Sequence, residues 1–488
     1  MNKALLFQLW IFAIGFLMAN LYKRSFDPLF RVLIALPVGW ALFGIWATVV
    51  YSVHFSALSQ MFLLVVLAVT TAALLIANIK QGSASKDSIL LGMASLIVLT
   101  VVFVFVDLLK IVTMGSDSAY IVRFGQNIGL GNYEASRMVF SMWGPLVPFI
   151  HSITNLLDQK LFWQYQPILS VNLVALVFYT IYTVIREQKS KLQSVIAATI
   201  LVSLMSLSNI FLFHFFYIHV NIIAAIYMYL LVFALGRTHQ QPGTGYELLA
   251  LLSLIGFCLV RLEAPLIVIG ILLVATFRPG WSYIDRLKLI IPFTVLSLGW
   301  YARVYFVVPD DPDILSKNLI IAFGSVLFGF GLFTVLSGLK VLDSIVKNTP
   351  GLTLTGLVIA GLIFTIMKPE HMFGSLESMV GNALVKGNWG LTWYVLFFLL
   401  AELYFSKWRS TEHHWMFMVL VTYFVLVFNL AYFTDAYHMG PFGQFDSANR
   451  LLLQALPLVV LYLGTGFASM PFSSIRKRGG TSTVEIAL

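Results

Sequence analysis

The chain has 488 residues, of which 59% are hydrophobic and only 10% charged, with a mean hydropathy of +0.90. No soluble globular domain has that composition, and apolar runs of about 20 residues recur along the whole length, as bilayer-crossing helices require. The formal charge of +9 does not point to nucleic acid, because the basic residues sit in short loops between apolar runs, and the single cysteine, Cys258, excludes an intrachain disulfide.

Taken in chain order, the runs predict an all-α polytopic membrane bundle of about 13–15 spans. They lie near 4–20, 31–53, 59–79, 88–109, 164–185, 192–210, 219–236, 247–260, 264–277, 287–308, 317–341, 351–367, 389–405, 414–433 and 450–469. Residues 1–16 resemble a signal peptide, but no small-x-small cleavage site follows, and Lys23 and Arg24 read as the cytoplasmic flank of a retained anchor. The first three runs form an N-terminal element, 1–87. Residues 88–470 form the main transmembrane region, and 471–488 a basic cytoplasmic tail. No inverted internal repeat of the kind common in secondary transporters is visible.

Alternating the sides collects most of the 30 Lys and Arg on one face, in clusters such as Lys23/Arg24/Arg31, Arg186/Lys189/Lys191, Arg278/Arg286/Lys288 and Arg476/Lys477/Arg478. By the positive-inside rule that face is cytoplasmic. Two conditions keep this topology. Residues 143–157, with Pro145 and Pro148 near their start, must form an interfacial helix rather than a span. The run 247–277 must turn round at Arg261-Leu-Glu263-Ala-Pro265. The loops 110–163, 211–218, 261–263, 309–316, 368–388 and 434–449 then all face outward.

The outward stretch from Lys110 to Trp143 is the longest polar interruption, and long structured loops tend to be functional. It carries Asp117, whose plain role is a helix N-cap and whose functional role is a general base for an acceptor hydroxyl. Tyr120, Arg123 and Asn127 follow at spacings near one helical turn, and Gly129, Gly131 and Asn132 end the short helix. Arg261 and Glu263 read either as an ion pair at a helical break or, for Arg261, as a phosphate ligand, since guanidinium matches phosphate oxygens bidentately. Arg450 opens the last span beside Tyr437, His438 and Asp446. It is either a snorkelling arginine or part of a polar pocket. His214 and His219 read as ordinary interfacial residues, and Asp107 as a partner for Lys110.

The order Asp117-Ser-Ala-Tyr120, Gly129-Leu-Gly131-Asn-Tyr133, Trp143-Gly-Pro-Leu146 and then Arg186/Lys189/Lys191 resembles the polytopic glycosyltransferases of the GT-C superfamily. Lipid A aminoarabinose transferases, protein O-mannosyltransferases and O-antigen glucosyltransferases belong there. The break around Arg261 and the segment Asn449-Arg450-Leu-Leu-Leu-Gln-Ala-Leu-Pro457 are similar to later elements of that pattern. The resemblance covers about 88–470. It implies a polyprenyl-phosphate-linked sugar as donor, a glycan, lipid or protein acceptor, and an inverting displacement with Asp117 as base. Arg261 and Arg450 would bind the donor phosphate, and Tyr120, Arg123, Trp143, Glu263, Tyr437 and His438 would line the substrate site. It also implies a bacterial inner membrane with the site facing the periplasm. Ser118 stands where many relatives have a second acidic residue, and His219 and Asn221 stand where others have an acid. Both departures argue against a divalent-metal-dependent member, so no cofactor is expected. Two other readings stay open: an O-antigen polymerase or ligase using a lipid-pyrophosphate oligosaccharide, and a lipid-sugar flippase or transporter.

Overall fold

The computed structural model describes residues 2–53, 58–132, 144–240, 245–261, 263–307, 317–405, 411–433 and 447–470. Among them the chain is almost wholly helical, with no strand, as expected of an all-α polytopic membrane protein. Ten helices are long and apolar enough to cross a bilayer, and eleven if one bent pair counts as a span. That is fewer than the sequence predicts. Each expected run is helical, but four form shorter helices, 245–260, 264–276, 320–336 and 392–405.

The first four helices, α1 (Lys3–Leu21), α2 (Pro28–Val53), α3 (Ser59–Lys80) and α4 (Lys86–Leu109), are joined by short loops. Helices α1 and α2 press their backbones together through glycine. A Cβ on Gly15 would lie 1.8 Å from the Ala35 carbonyl oxygen, and one on Gly39 would lie 2.1 Å from that of Ile11. Small residues serve this purpose where lipid removes the hydrophobic drive between helices. Large apolar side chains such as Val65, Val69, Ile97 and Val101 point outward from α3 and α4, as they must when the surrounding solvent is hydrocarbon.

Two short helices follow, α5 (Ser116–Gly129) and α6 (Leu146–Ser152). Helix α6 has seven residues, so 143–157 does not cross the membrane. It is not surface-lying, however: every one of its residues is buried beneath α5 and against α2. Gly125 and Gly129, one turn apart on α5, make this possible. A Cβ on either would fall 2.3 Å from the Pro148 carbonyl oxygen or 2.1 Å from that of Ser152. Gly131, at φ 75°, then ends α5 as expected of glycine beyond a helix C-terminus.

Helices α7 (Tyr165–Arg186) and α8 (Lys191–Ser206) lead into α9 (Asn209–Phe216), which bends from α8 by 73°. The expected span 192–210 therefore breaks at Leu207, and the expected outer loop 211–218 is mostly helix. Next come α10 (Asn221–Gln240), α11 (Gly245–Val260) and α12 (Ala264–Thr276), the last two meeting at the predicted turn 261–263. Helices α13 (Tyr283–Val307), α14 (Lys317–Leu336), α15 (Asp343–Met367), α16 (Pro369–Gly381), α17 (Thr392–Phe405), α18 (Thr411–Leu430) and α19 (Ser447–Ser469) complete the chain. Helix α16 occupies most of what the sequence reads as an outer loop, 368–388. Helices α10 and α19 form the axis of the bundle. They pack on one another, and 89% of each apolar window is buried, against 6% for α15. A helix apolar all round belongs in such an axis.

Candidate functional site

The site lies where the stretch after α4 meets the first residues of α10 and α19. Helix α4 ends at Lys110, which turns the chain through a left-handed conformation at φ 49°. Lys110 does not hold Asp107, whose carboxylate accepts from Gln164 Nε2 at 2.8 Å. Thr113 then pairs with Tyr217 in a single parallel bridge. The Thr113 N–H donates to the Phe216 carbonyl (3.0 Å), and the Ile218 N–H donates to the Thr113 carbonyl (3.2 Å). Gly115 precedes α5 with the Tyr217 hydroxyl oxygen 2.8 Å from where a Cβ would stand. The Ser118 hydroxyl accepts from the Gly115 N–H (3.3 Å) and donates to the Ile218 carbonyl (2.7 Å). Capping, the plain role open to Asp117, thus falls to Ser118.

Asp117 is left free to face the bundle. Its Oδ2 accepts from Arg450 Nη1 at 2.6 Å, across 333 positions of sequence, and stands 3.5 Å from His219 Nε2. The same Arg450 nitrogen lies 3.1 Å from His219 Nε2. Nε2 accepts from Arg450 in one tautomer of the ring and faces Asp117 as a donor in the other. The Tyr217 ring stacks parallel on the imidazole, with centroids 5.3 Å apart. Burial pushes His219 down to about 4; Arg450 and Arg261 act in the same direction and Asp117 against them. The His219 imidazole and the Arg450 guanidinium hold the Asp117 carboxyl well below the usual carboxylate range, although burial alone would raise it.

Below this cluster Gln454 Nε2 donates to Asn221 Oδ1 at 3.4 Å. His219 Nδ1 and Asn221 Nδ2 are two of the many buried side-chain nitrogens and oxygens that have no hydrogen-bond partner among the described residues.

Arg261 joins the site from the turn between α11 and α12. Its Nε pairs with Glu263 Oε1 at 2.5 Å, so the expected local ion pair exists. The loop's far end is anchored to the same turn. The Gly144 N–H donates to the Val260 carbonyl (3.1 Å), and a Cβ on Gly144 would come within 2.2 Å of the Val260 carbonyl carbon. Both ends of the 110–144 stretch are therefore pinned.

Asp117 and Arg450 meet directly, while Arg261 is paired with Glu263 at the turn between α11 and α12. Tyr120 and Arg123 do not join them: both are exposed on α5, where Tyr120 stacks on Phe124. Trp143, Tyr437 and His438 lie outside the described residues. Sequence reasoning missed His219 and Asn221 as members of the cluster. The available signal was a polar pair in the short gap before a very apolar helix, on the same face as Asp117. No group of three or more His, Cys, Asp or Glu side chains suited to a metal ion occurs among the described residues. Comparison with protein-family models, curated proteins and solved structures gives no match.

Proposed function

We propose that this integral membrane protein is a glycosyltransferase of the GT-C kind. In this reading it moves a sugar from a polyprenyl-phosphate donor to an acceptor hydroxyl on the face opposite the basic clusters, in a bacterial inner membrane. The observation that carries the reading is the meeting of the Asp117 carboxylate and the Arg450 guanidinium at 2.6 Å at one end of the bundle axis. A base and an anion-binding group side by side are what displacement at a phosphate-linked anomeric carbon needs. The two buried, unpartnered nitrogens beside them, His219 Nδ1 and Asn221 Nδ2, suit a hydroxyl-rich substrate. The charged groups gather at one end of α10 and α19 rather than at their midpoints, which favours interfacial chemistry over a transporter's midplane site.

The reaction would run in one step. The acceptor oxygen bonds to the anomeric carbon while the carbon–oxygen bond to phosphate breaks. The acceptor proton passes to Asp117, and the bonding pair leaves with the polyprenyl phosphate. The phosphate's charge grows as it departs, so an arginine on it binds the transition state better than the donor. Arg450 would serve both groups in turn. In the free protein it keeps Asp117 a weak base; drawn onto the donor phosphate, it would release the carboxylate to a higher proton affinity. Base strength would then arrive only with the donor.

The test is to incubate the purified protein with a panel of polyprenyl-phosphate sugars and hydroxyl acceptors and follow transfer and donor binding. Turnover with one donor, lost in Asp117→Asn, is the expected result. Neither turnover nor binding of any donor would remove the reading.

A further inference from the structure

A second polar cleft lies at the other end of the same axis. It is a small, half-open cleft of about 90 Å³ between α7, α10, α18 and α19. Its lining carries two guanidinium groups, Arg237 and Arg278, against one carboxylate, Glu187. Arg237 is held by Glu187 at 2.9 Å. The Arg278 guanidinium carbon lies over the Trp415 ring, 4.2 Å from its centroid, with its Nε donating to the Ala275 carbonyl at 3.1 Å. Guanidinium is the side-chain group whose planar array of donors matches phosphate oxygens. The opposite wall is apolar, from Val232, Phe233 and Leu461.

The cleft is not an extension of the Asp117 site. On α10, Arg237 stands 16 residues after Asn221, and on α19, Ser469 stands 19 after Arg450. At the helical rise these separations are about 24 and 28 Å, close to the thickness of a bilayer's hydrocarbon core. The axis between them is packed with fully buried apolar side chains such as Leu231, Val459 and Val460, so no polar path joins the two. The cleft opens at the end that carries Arg186, Lys189 and Arg286, where the surrounding charge is also positive.

We infer that this cleft binds a phosphate group at the basic face of the membrane, with Arg237 and Arg278 as its ligands and the apolar wall taking whatever the phosphate is attached to. Basic pockets between membrane helices take anionic lipid headgroups by this chemistry. A lipid headgroup and a free phosphate ester would use the same two arginines. The inference does not depend on the reaction at the opposite end.

The test uses the full-length protein in a zwitterionic detergent, titrated separately with dioctanoyl phosphatidic acid, inorganic phosphate and dioctanoyl phosphatidylcholine, with the unfolding midpoint as readout. The first or the second is expected to raise the midpoint saturably. Phosphatidic acid alone identifies a lipid site, and inorganic phosphate as well identifies a soluble ester. Substituting R237Q and R278Q together should weaken that binding at least tenfold, whereas Asp117→Asn, at the far end, should leave it unchanged. If the double substitution does not fold, Ser469→Trp, which covers the mouth and keeps both arginines, must give the same loss. The inference is overturned if neither anion binds saturably, if phosphatidylcholine acts as strongly as phosphatidic acid, or if the folded variants bind as tightly as the parent.

Discussion

One nitrogen of Arg450 serves two partners, standing 2.6 Å from Asp117 Oδ2 and 3.1 Å from His219 Nε2. A single cation therefore holds together an acid from the loop after α4 and an imidazole from the start of α10. Removing it should leave a half-buried carboxylate uncompensated. Arg450→Gln and Asp117→Asn are each expected to cost about 2–3 kcal/mol, since either change removes a charge-assisted hydrogen bond and leaves the other partner's charge unpaired. Denaturant unfolding of both single variants and the double variant should give a coupling of about 1 kcal/mol or more. Strict additivity would show that the contact carries no stability.

Stability should fall with acid in a defined window. His219 is held at about 4 in the folded chain, below the ordinary imidazole value. Above pH 6.5 the ring is neutral in both folded and unfolded chains, and its contribution is complete. Between 6.5 and about 4 the unfolded chain takes up a proton that the folded chain refuses, so stability declines as pH drops. Asp117, whose folded value is depressed, adds a further loss at still lower pH. In His219→Gln an amide replaces the ring without a titrating group. Melting midpoints measured across this range should fall less steeply in that variant, the remaining decline coming from His151, which burial also pushes down, to about 3.

Kinetics should separate the two charged groups if the transferase reading holds. Asp117→Asn is expected to lower kcat by about 100-fold or more with donor KM little changed, as loss of a general base does. Arg450→Gln should raise donor KM as well as lower kcat, because a phosphate ligand acts in both ground and transition states. Identical profiles for the two variants would contradict the division of labour.

The glycine seam between α5 and α6 is a structural requirement that not every helical glycine shares. Gly125→Ala or Gly129→Ala would drive a methyl into a backbone carbonyl oxygen, at an expected cost of about 1–3 kcal/mol. Gly356 in α15 has nothing within 4 Å of an added Cβ, so Gly356→Ala should be neutral or stabilise by up to about 1 kcal/mol. Thermal melts of the three variants check both directions.

The bundle was legible because apolar run length needs no partner to interpret. The turn at Arg261 was legible because two charges beside a proline cannot continue a lipid-exposed helix. The bend after Ser206 was missed: Ser206, Ser208 and Asn209 interrupt the α8–α9 run, and Ser208 caps α9, but the interruption is too short to end an apolar run read by length. The capping by Ser118 and the place of His219 were not legible for a related reason. Serine and aspartate are both good helix caps, and adjacent positions in one sequence do not say which side chain turns back and which turns away. A histidine before an apolar helix reads as interfacial until a guanidinium from 231 positions along the chain is seen beside it.

The parallel bridge between Thr113 and Tyr217, with Ser118 hydrogen-bonded to Ile218, gives the site a mechanical asymmetry. The segments that carry the carboxylate and the imidazole are fastened to each other, whereas the arginine arrives on α19, the separate axial helix. The cluster thus has a natural parting line, with Asp117 and His219 on one side and Arg450 on the other. Any molecule that wedges the site open meets a negative lip and a positive lip, and it must carry a charge for at least one of them.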